Sequence, residues 1–276
     1  MLIATDLDRT LLPNGAEPDD GSLRLFYKII HEQKYTLAYV SGRNLDLFQE
    51  ARGKYSLELP DYYLGDVGTS LYIKQGETLQ ADKKWQEYLL TATPNWDIEK
   101  MRGKIDFPGL SLQEDSKQTA HKLSYYVDLS ANQQGAIKHI EMLIKDLKIR
   151  AHVVYSIDPL AKIGLLDILP TSATKVAGLE FLRERLGIPK GELMYCGDSG
   201  NDILPLTNGY LAVMVKNTHP DTKAEVIRRN QTPDLTEKTF IARGQSDLGL
   251  NGNYASGIIE GMIHFGLIST TEVGQS

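Results

Sequence analysis

The sequence predicts an α/β fold, with a Rossmann-like parallel-sheet core and a smaller α/β domain inserted into it. In both end regions of the chain, short apolar runs alternate with amphipathic segments, which is typical of a parallel sheet covered by helices. From about residue 80 the sequence becomes polar and loop-rich. A strand–helix–strand–strand pattern follows, which can form a small sheet with one face buried by its own helix. We therefore predict a core from residues 1–79 and 169–276, and an inserted domain at residues 80–168.

The first part of the core has the pattern of strands and helices in alternation. Strands are predicted from apolar or β-prone runs, and helices from apolar residues at a spacing of three to four. The predicted elements are a strand at 2–5, a helix with Leu23, Phe26, Tyr27 and Ile30 inward, a strand at 35–40, a helix with Leu45 and Phe48 inward, a strand at 62–64 and a hairpin of 71–73 with 78–79.

The inserted domain and the second part of the core follow in the same way. For the insertion we predict a helix-like segment at 85–101 broken at Pro94, a loop-rich stretch at 104–121, a strand at 123–127, a helix at 131–148, and strands at 151–155 and 163–169. For the core we predict a helix at 175–186, a strand at 193–196, a strand at 210–215, a helix at 221–229, a short strand at 240–242 and a closing helix at 255–265.

Composition and charge exclude several classes of protein. A formal net charge of −6 disfavours a general nucleic-acid binder, which normally has a basic face. A single cysteine, Cys196, excludes an internal disulfide framework and favours a reducing compartment. No apolar run approaches the roughly 18 residues of a membrane span, and the N-terminus does not have the pattern of a signal peptide. We expect a cytoplasmic protein with no membrane or nucleic-acid partner.

Polar clusters stand at the ends of the predicted core strands and at the start of one helix. They are Asp6 with Asp8, Ser41, Lys175, and Asp198 with Asp202. Taken singly, each has a simpler explanation, since Asp, Ser and Gly suit turns and a lysine often starts a helix in solvent. Because ligands bind beyond the carboxyl ends of the strands in open α/β sheets, we expect the clusters to converge.

The residue types in these clusters suit phosphoryl transfer. If the chain stays extended past Thr5, Asp6 and Asp8 point to one spot, where a cation would relieve their repulsion. Carboxylates are the oxygen ligands that Mg²⁺ prefers, and one of them can act as a nucleophile. Lys175, the Ser41 hydroxyl and the Gly42 N–H could then hold the phosphate, while Asp8 transfers protons.

The motifs resemble those of the haloacid dehalogenase superfamily of phosphatases. The stretches that carry the resemblance are Asp6-Leu7-Asp8-Arg9-Thr10, Ser41, Lys175 and Gly197-Asp198-Ser199-Gly200-Asn201-Asp202. The insertion point after the third strand is similar to that of the subgroup with an α/β cap. Within it, the chain looks most like sucrose-phosphate and mannosylfructose-phosphate phosphatases, through Val67-Gly68-Thr69, Lys122-Leu123-Ser124-Tyr125 and the tail from residue 255 to 265.

The resemblance implies a role for each site residue. Asp6 would be the nucleophile and Asp8 the acid/base. Mg²⁺ would be bound by Asp6, the Asp8 carbonyl and Asp198, with Asp202 acting directly or through water. Phosphate would be bound by Ser41, Gly42, Lys175 and Asn201, and the sugar by Arg9, Arg43, Thr69 and the cap residue Lys122. Relatives often carry glycine, asparagine or histidine at the position of Arg9, whose side chain we expect to face the cap. Thr10 is expected to orient the Asp6 loop through hydroxyl-to-backbone bonds.

The substrate implied is sucrose 6-phosphate or a similar disaccharide phosphate. Mannosylfructose-, glucosylglycerate-, mannosylglycerate- and trehalose phosphates remain open as substrates. A phosphomannomutase-like phosphomutase and a catalytically silent sugar-phosphate sensor are the rival functions. We also expect a monomer that takes its substrate from a partner glycosyltransferase.

Overall fold

The computed structural model describes residues 1–13, 20–158 and 161–273 of the chain. The strands are β1 (Leu2–Thr5), β2 (Thr36–Val40), β3 (Tyr62–Gly65), β4 (Ser70–Gln75), β5 (Thr78–Ala81), β6 (Leu110–Leu112), β7 (Leu123–Val127), β8 (Ala151–Asp158), β9 (Ile163–Pro170), β10 (Leu193–Gly197), β11 (Leu211–Met214) and β12 (Thr239–Ile241). The helices are α1 (Ser22–Glu32), α2 (Leu45–Tyr55), α3 (Lys83–Ala92), α4 (Ile98–Arg102), α5 (Gln133–Asp146), α6 (Lys175–Leu186), α7 (Ile203–Leu206), α8 (Pro220–Arg229), α9 (Pro233–Glu237), α10 (Tyr254–His264) and α11 (Thr270–Val273).

The core sheet confirms the predicted α/β class. Its strand order is β12-β11-β10-β1-β2-β3-β4-β5, with parallel pairing from β12 to β3 and an antiparallel hairpin of β4 and β5 at one edge. All four residues of β1 are buried, as expected for a central parallel strand covered on both faces. Because Thr5 pairs with Tyr39 of β2 and Cys196 of β10, the three strands end side by side. The residues that follow them are therefore brought to one edge of the sheet.

Helix α6 packs closely on the core sheet through a glycine. A Cβ atom on Gly178 would lie 2.4 Å from Leu64 of β3, which is too close for any other residue without rearrangement. Gly178 follows the first residue of α6, Lys175, by about one helical turn. This contact fixes the start of α6, and with it the buried Lys175, against the carboxyl ends of the strands.

The chain divides into two compact units, Met1–Ala81 with Lys175–Ser276, and Asp82–Thr174. The second unit has a four-stranded antiparallel sheet, in the order β6-β7-β9-β8, with α3, α4 and α5. Its bounds differ from residues 80–168 because β5 continues to Ala81 and β9 to Pro170. Strand β6 lies within the stretch predicted as loop-rich. It is only three residues long and pairs with β7 alone, so its sequence has too short a pattern to reveal it.

Within the residues that the structure describes, none of the helices has the length and apolarity that crossing a membrane requires.

Candidate active site

The ammonium group of Lys175 is the centre of a buried polar cluster. Its Nζ donates to Asp202 Oδ1 at 2.7 Å, Asp6 Oδ1 at 2.9 Å and Asn201 Oδ1 at 3.1 Å, and lies 3.4 Å from the Tyr195 hydroxyl. Only 4% of Lys175 is exposed. A buried carboxylate is tolerated when a cation and hydrogen bonds compensate for its lost hydration. Lys175 thus allows two buried carboxylates to stand close together.

Burial and this shared cation shift the pKa values of the cluster. Burial raises the pKa of Asp6 well above its usual range, and the charges of Asp202 and Asp8 add to the rise that Lys175 opposes. For Asp202, burial is outweighed by the charge and hydrogen bonds of Lys175, and the pKa is lowered. Burial alone would lower the pKa of Lys175, but the two carboxylates raise it. Lys175 therefore remains a fixed positive charge beside Asp6.

Asp202 is fully occupied by protein donors. Its Oδ1 accepts from Lys175 and from the Tyr195 hydroxyl at 2.5 Å. Its Oδ2 accepts from the backbone N–H and the hydroxyl of Ser199, each at 3.1 Å. A Cβ on Gly197 would lie 2.5 Å from the Asp202 side chain, so this loop requires glycine there. Asp202 therefore orients Lys175 and closes the loop after β10.

Asp198 lies nearby and contacts two residues of the first loop. Thr10 Oγ1 donates to Asp198 Oδ1 at 3.0 Å, and Arg9 Nε lies 3.4 Å from Oδ2. Burial and the charge of Asp202 raise the pKa of Asp198 to about 6, against the opposing effects of Thr10, Arg9 and Lys175. The expectation for Thr10 was wrong, because its hydroxyl binds a carboxylate instead of the backbone. Arg9 contacts Asp198, and its orientation towards the cap stays a prediction.

Three buried carboxylates cluster where a metal ion could be held, although both oxygens of Asp202 already accept protein hydrogen bonds. One carboxylate oxygen from each of Asp6, Asp198 and Asp202 lies within 4.8 Å of the other two, and all three residues are buried. Hard oxygen donors at this spacing fit Mg²⁺. The Asp8 carbonyl, the remaining predicted ligand, stays a prediction.

Asp8 forms a separate pair with Arg43. Arg43 donates to both Asp8 oxygens, from Nη2 at 2.6 Å and from Nε at 2.8 Å. The chain bends after Asp6, where the Leu7 carbonyl accepts the N–H groups of residues 10 to 12. The charge of Asp8 still contributes to the raised pKa of Asp6, and the common direction of the two side chains stays a prediction. Arg43 was predicted to bind the sugar, whereas in the structure its guanidinium binds Asp8. The sequence feature that could have indicated the Asp8 contact is the position of Arg43, two residues after Ser41 and beyond β2, the strand that pairs with β1.

Ser41, Gly42 and Asn201 are positioned as hydrogen-bond donors. The buried Ser41 Oγ accepts the Arg43 N–H at 3.1 Å, so its hydroxyl proton can be donated elsewhere. The Asn201 Oδ1 accepts from Lys175, which leaves the amide NH₂ group to face a ligand. A Cβ on Gly42 would meet nothing within 4 Å, so the space beside this backbone is open.

Thr69 and Lys122 are placed differently. The buried Thr69 hydroxyl donates to the Asp66 carbonyl at 3.0 Å, which stabilises its own loop. Lys122 belongs to the second unit, where it immediately precedes β7 and is buried. Tyr195 is a site residue that sequence reasoning missed, since it lies in the continuous buried run of β10, which indicates a core tyrosine.

Comparisons with known proteins find relatives over most of the chain. The family model described as sucrose-6F-phosphate phosphohydrolase matches residues 1–266. A haloacid dehalogenase-like hydrolase of Nitrosococcus oceani is 37% identical, over 96% of this chain and 71% of that protein. The mannosylfructose-phosphate phosphatase of Agrobacterium fabrum is 29% identical, over 96% of this chain and 97% of that protein.

A solved structure has the same fold. The sucrose-phosphatase of Synechocystis sp., in complex with sucrose and phosphate, superposes with a TM-score of 0.75 at 24% identity, covering 96% of this chain and 98% of that one. The chain spans 51–60% of the length of the Arabidopsis thaliana and Nicotiana tabacum sucrose-phosphatases that it matches. These matches confirm the resemblance that the motifs indicate.

Proposed function

Because the chain belongs to the sucrose-6F-phosphate phosphohydrolase family, we propose that it hydrolyses the phosphate ester of a sugar phosphate, with Asp6 as nucleophile and Mg²⁺ as cofactor. One observation carries this proposal. A buried carboxylate, Asp6, is held by Lys175 at 2.9 Å beside two further buried carboxylates, Asp198 and Asp202. Three buried carboxylates carry more negative charge than Lys175 alone offsets, and uncompensated buried charge is costly, so the cluster is explained best by a site that binds cation and phosphate together.

Asp6 attacks the phosphorus in the first step. Lys175 fixes the carboxylate through Oδ1, which leaves Oδ2 to form the new bond as the sugar oxygen departs. The product is a phosphoryl group on Asp6, and the step divides one difficult displacement into two. Lys175, the Ser41 hydroxyl and the Asn201 amide stabilise the negative charge on the transferred oxygens.

The acidic cluster supplies the cation site. When bound, Mg²⁺ would offset the repulsion between the carboxylates and the substrate phosphate. Asp6 and Asp198 would hold it together with the Asp8 carbonyl. Asp202 acts indirectly, since both of its oxygens already accept bonds from Lys175, Tyr195 and Ser199.

Asp8 transfers the protons. It donates one to the departing sugar oxygen and then removes one from the water that hydrolyses phospho-Asp6. Its side chain is 32% exposed, so it can reach both solvent and a bound ester. Arg43, which donates to both carboxylate oxygens, sets the orientation of this group.

For the substrate we propose sucrose 6-phosphate or a similar disaccharide phosphate. Support comes from the names of the relatives, which act on sucrose phosphate and mannosylfructose phosphate. We assign sugar recognition to the unit at residues 82–174, which contains Lys122. The substrate would then be supplied by a glycosyltransferase that uses a sugar phosphate as acceptor.

A phosphate-release assay across mono- and disaccharide phosphates tests the function. We expect Mg²⁺-dependent release that is fastest with one disaccharide phosphate, abolished by Asp6→Asn and stopped by EDTA. Release that persists in EDTA would overturn the metal role. A phosphomutase would show transfer between sugars without net release, and inactivity towards every sugar phosphate would reject the proposal.

A further inference from the structure

Arg9 has a fixed backbone between the two loop residues Asp8 and Thr10. Its φ is 64°, in the left-handed region that few non-glycine residues adopt. Its N–H donates to the Leu12 carbonyl at 2.7 Å, and its carbonyl accepts from Asn217 Nδ2 at 2.6 Å. The direction of the side chain is therefore determined by the loop and by a second segment of the core.

This direction brings the guanidinium against Asp198. Arg9 Nε lies 3.4 Å from Asp198 Oδ2, while the other oxygen accepts from Thr10. The Asp198 side chain is 2% exposed, whereas 55% of the Arg9 side chain is exposed. The Lys175 contacts are shorter, at 2.7 and 2.9 Å, and are buried at both ends. Arg9 is thus the cation at this cluster that can leave most easily.

We propose that Arg9 is a tethered competitor for the divalent cation at Asp198. This inference rests on the proposed function, because it assumes that Asp198 is a metal ligand. The guanidinium and the metal ion would share the same buried carboxylate, so metal binding would compete with the Arg9 contact. Arg9 would stabilise the metal-free site and raise the Mg²⁺ concentration that is needed to load it.

The test is Mg²⁺ binding measured by titration calorimetry, without substrate. Arg9→Asn removes the charge and suits a positive φ, and Arg9→Gln keeps most of the side-chain length. We expect both variants to bind Mg²⁺ about two- to fivefold more tightly than the unaltered protein, the range for a partly exposed ion pair. Lys216→Gln is the matched control, since the exposed Lys216 contacts the Asn251 carbonyl and no carboxylate in the described structure.

A second measurement is the rise in Tm on adding Mg²⁺. We expect a larger rise for Arg9→Asn and Arg9→Gln, because their metal-free forms lack the ion pair. Unchanged or weaker binding in both variants would overturn the inference, as would an equal gain in Lys216→Gln, which would indicate a general charge effect. If the unaltered protein and Asp198→Asn bind Mg²⁺ equally well, or neither binds it, the proposed metal site itself fails and the inference with it.

Discussion

Replacing Lys175 with methionine should destabilise the metal-free protein strongly. Methionine has a similar length but no charge, so Asp6 and Asp202 would lose their shared cation while staying buried. Removing one partner of a buried pair costs about 3–5 kcal/mol. The pKa of Asp6 is already raised, so protonation of this group should relieve part of the strain. We therefore expect a loss of about 3 kcal/mol near neutral pH, and a smaller loss in acid.

Urea unfolding in EDTA, followed by circular dichroism, gives the free energy of unfolding for the comparison. Adding Asp202→Asn to Lys175→Met should recover part of the loss, because it removes one of the unpaired carboxylates. Lys190→Met is the control: its ammonium binds the Asn208 carbonyl and lies 3.7 Å from Glu180 in a pair whose lysine is 45% exposed, so the substitution should cost less than about 1 kcal/mol. A Lys175→Met protein within about 1 kcal/mol of the unaltered one would refute the reasoning.

Three further predictions follow from other contacts of the site. Arg43→Ala should lower kcat for sugar phosphates by at least about tenfold, since Asp8 loses its orientation. With p-nitrophenyl phosphate, whose leaving group needs no protonation, the rate of the phosphorylation step should fall less. Equal losses with both substrates would contradict the role of Arg43 in orienting Asp8. Tyr195→Phe removes the 2.5 Å bond to Asp202 and should cost about 1–3 kcal/mol in urea unfolding; an unchanged stability would show that this bond is unimportant. The raised pKa of Asp198, about 6, means that the folded metal-free protein binds this proton more tightly than the unfolded chain. The free energy of unfolding, measured relative to Asp198→Asn in EDTA, should therefore fall by up to about 3 kcal/mol as pH rises from about 4 through 6, and a rise would contradict the sign.

The polar residues at strand ends were predictable from the sequence. Asp6, Ser41 and Asp198 each follow an apolar run, and parallel pairing alone brings such residues to one edge. Lys175 could be placed with them because it opens the helix after the insertion. The positions of these residues depend on the order of strands and helices, which the spacing of apolar residues predicts directly.

The partners of these side chains were not predictable in the same way. Whether Arg43 binds Asp8 or a sugar depends on the turn at Leu7 and on the side-chain rotamer, which no spacing reveals. Arg9 contacts Asp198 from a left-handed backbone conformation, which an arginine in a sequence does not indicate. In the sequence, Tyr195 cannot be distinguished from a core tyrosine. Its role depends on the loop after β10, which places Asp202 within hydrogen-bond distance of the tyrosine hydroxyl.

The most direct test of the account is the detection of a phosphoryl group on Asp6. The purified protein would be mixed with sucrose 6-phosphate and Mg²⁺, quenched in acid during turnover, digested and analysed by mass spectrometry. We predict one added phosphoryl group on the peptide that contains Asp6 in the unaltered protein, and no such group in Asp6→Asn. Release of phosphate without this adduct, or with Asp6→Asn still active, would contradict the role of Asp6 as nucleophile.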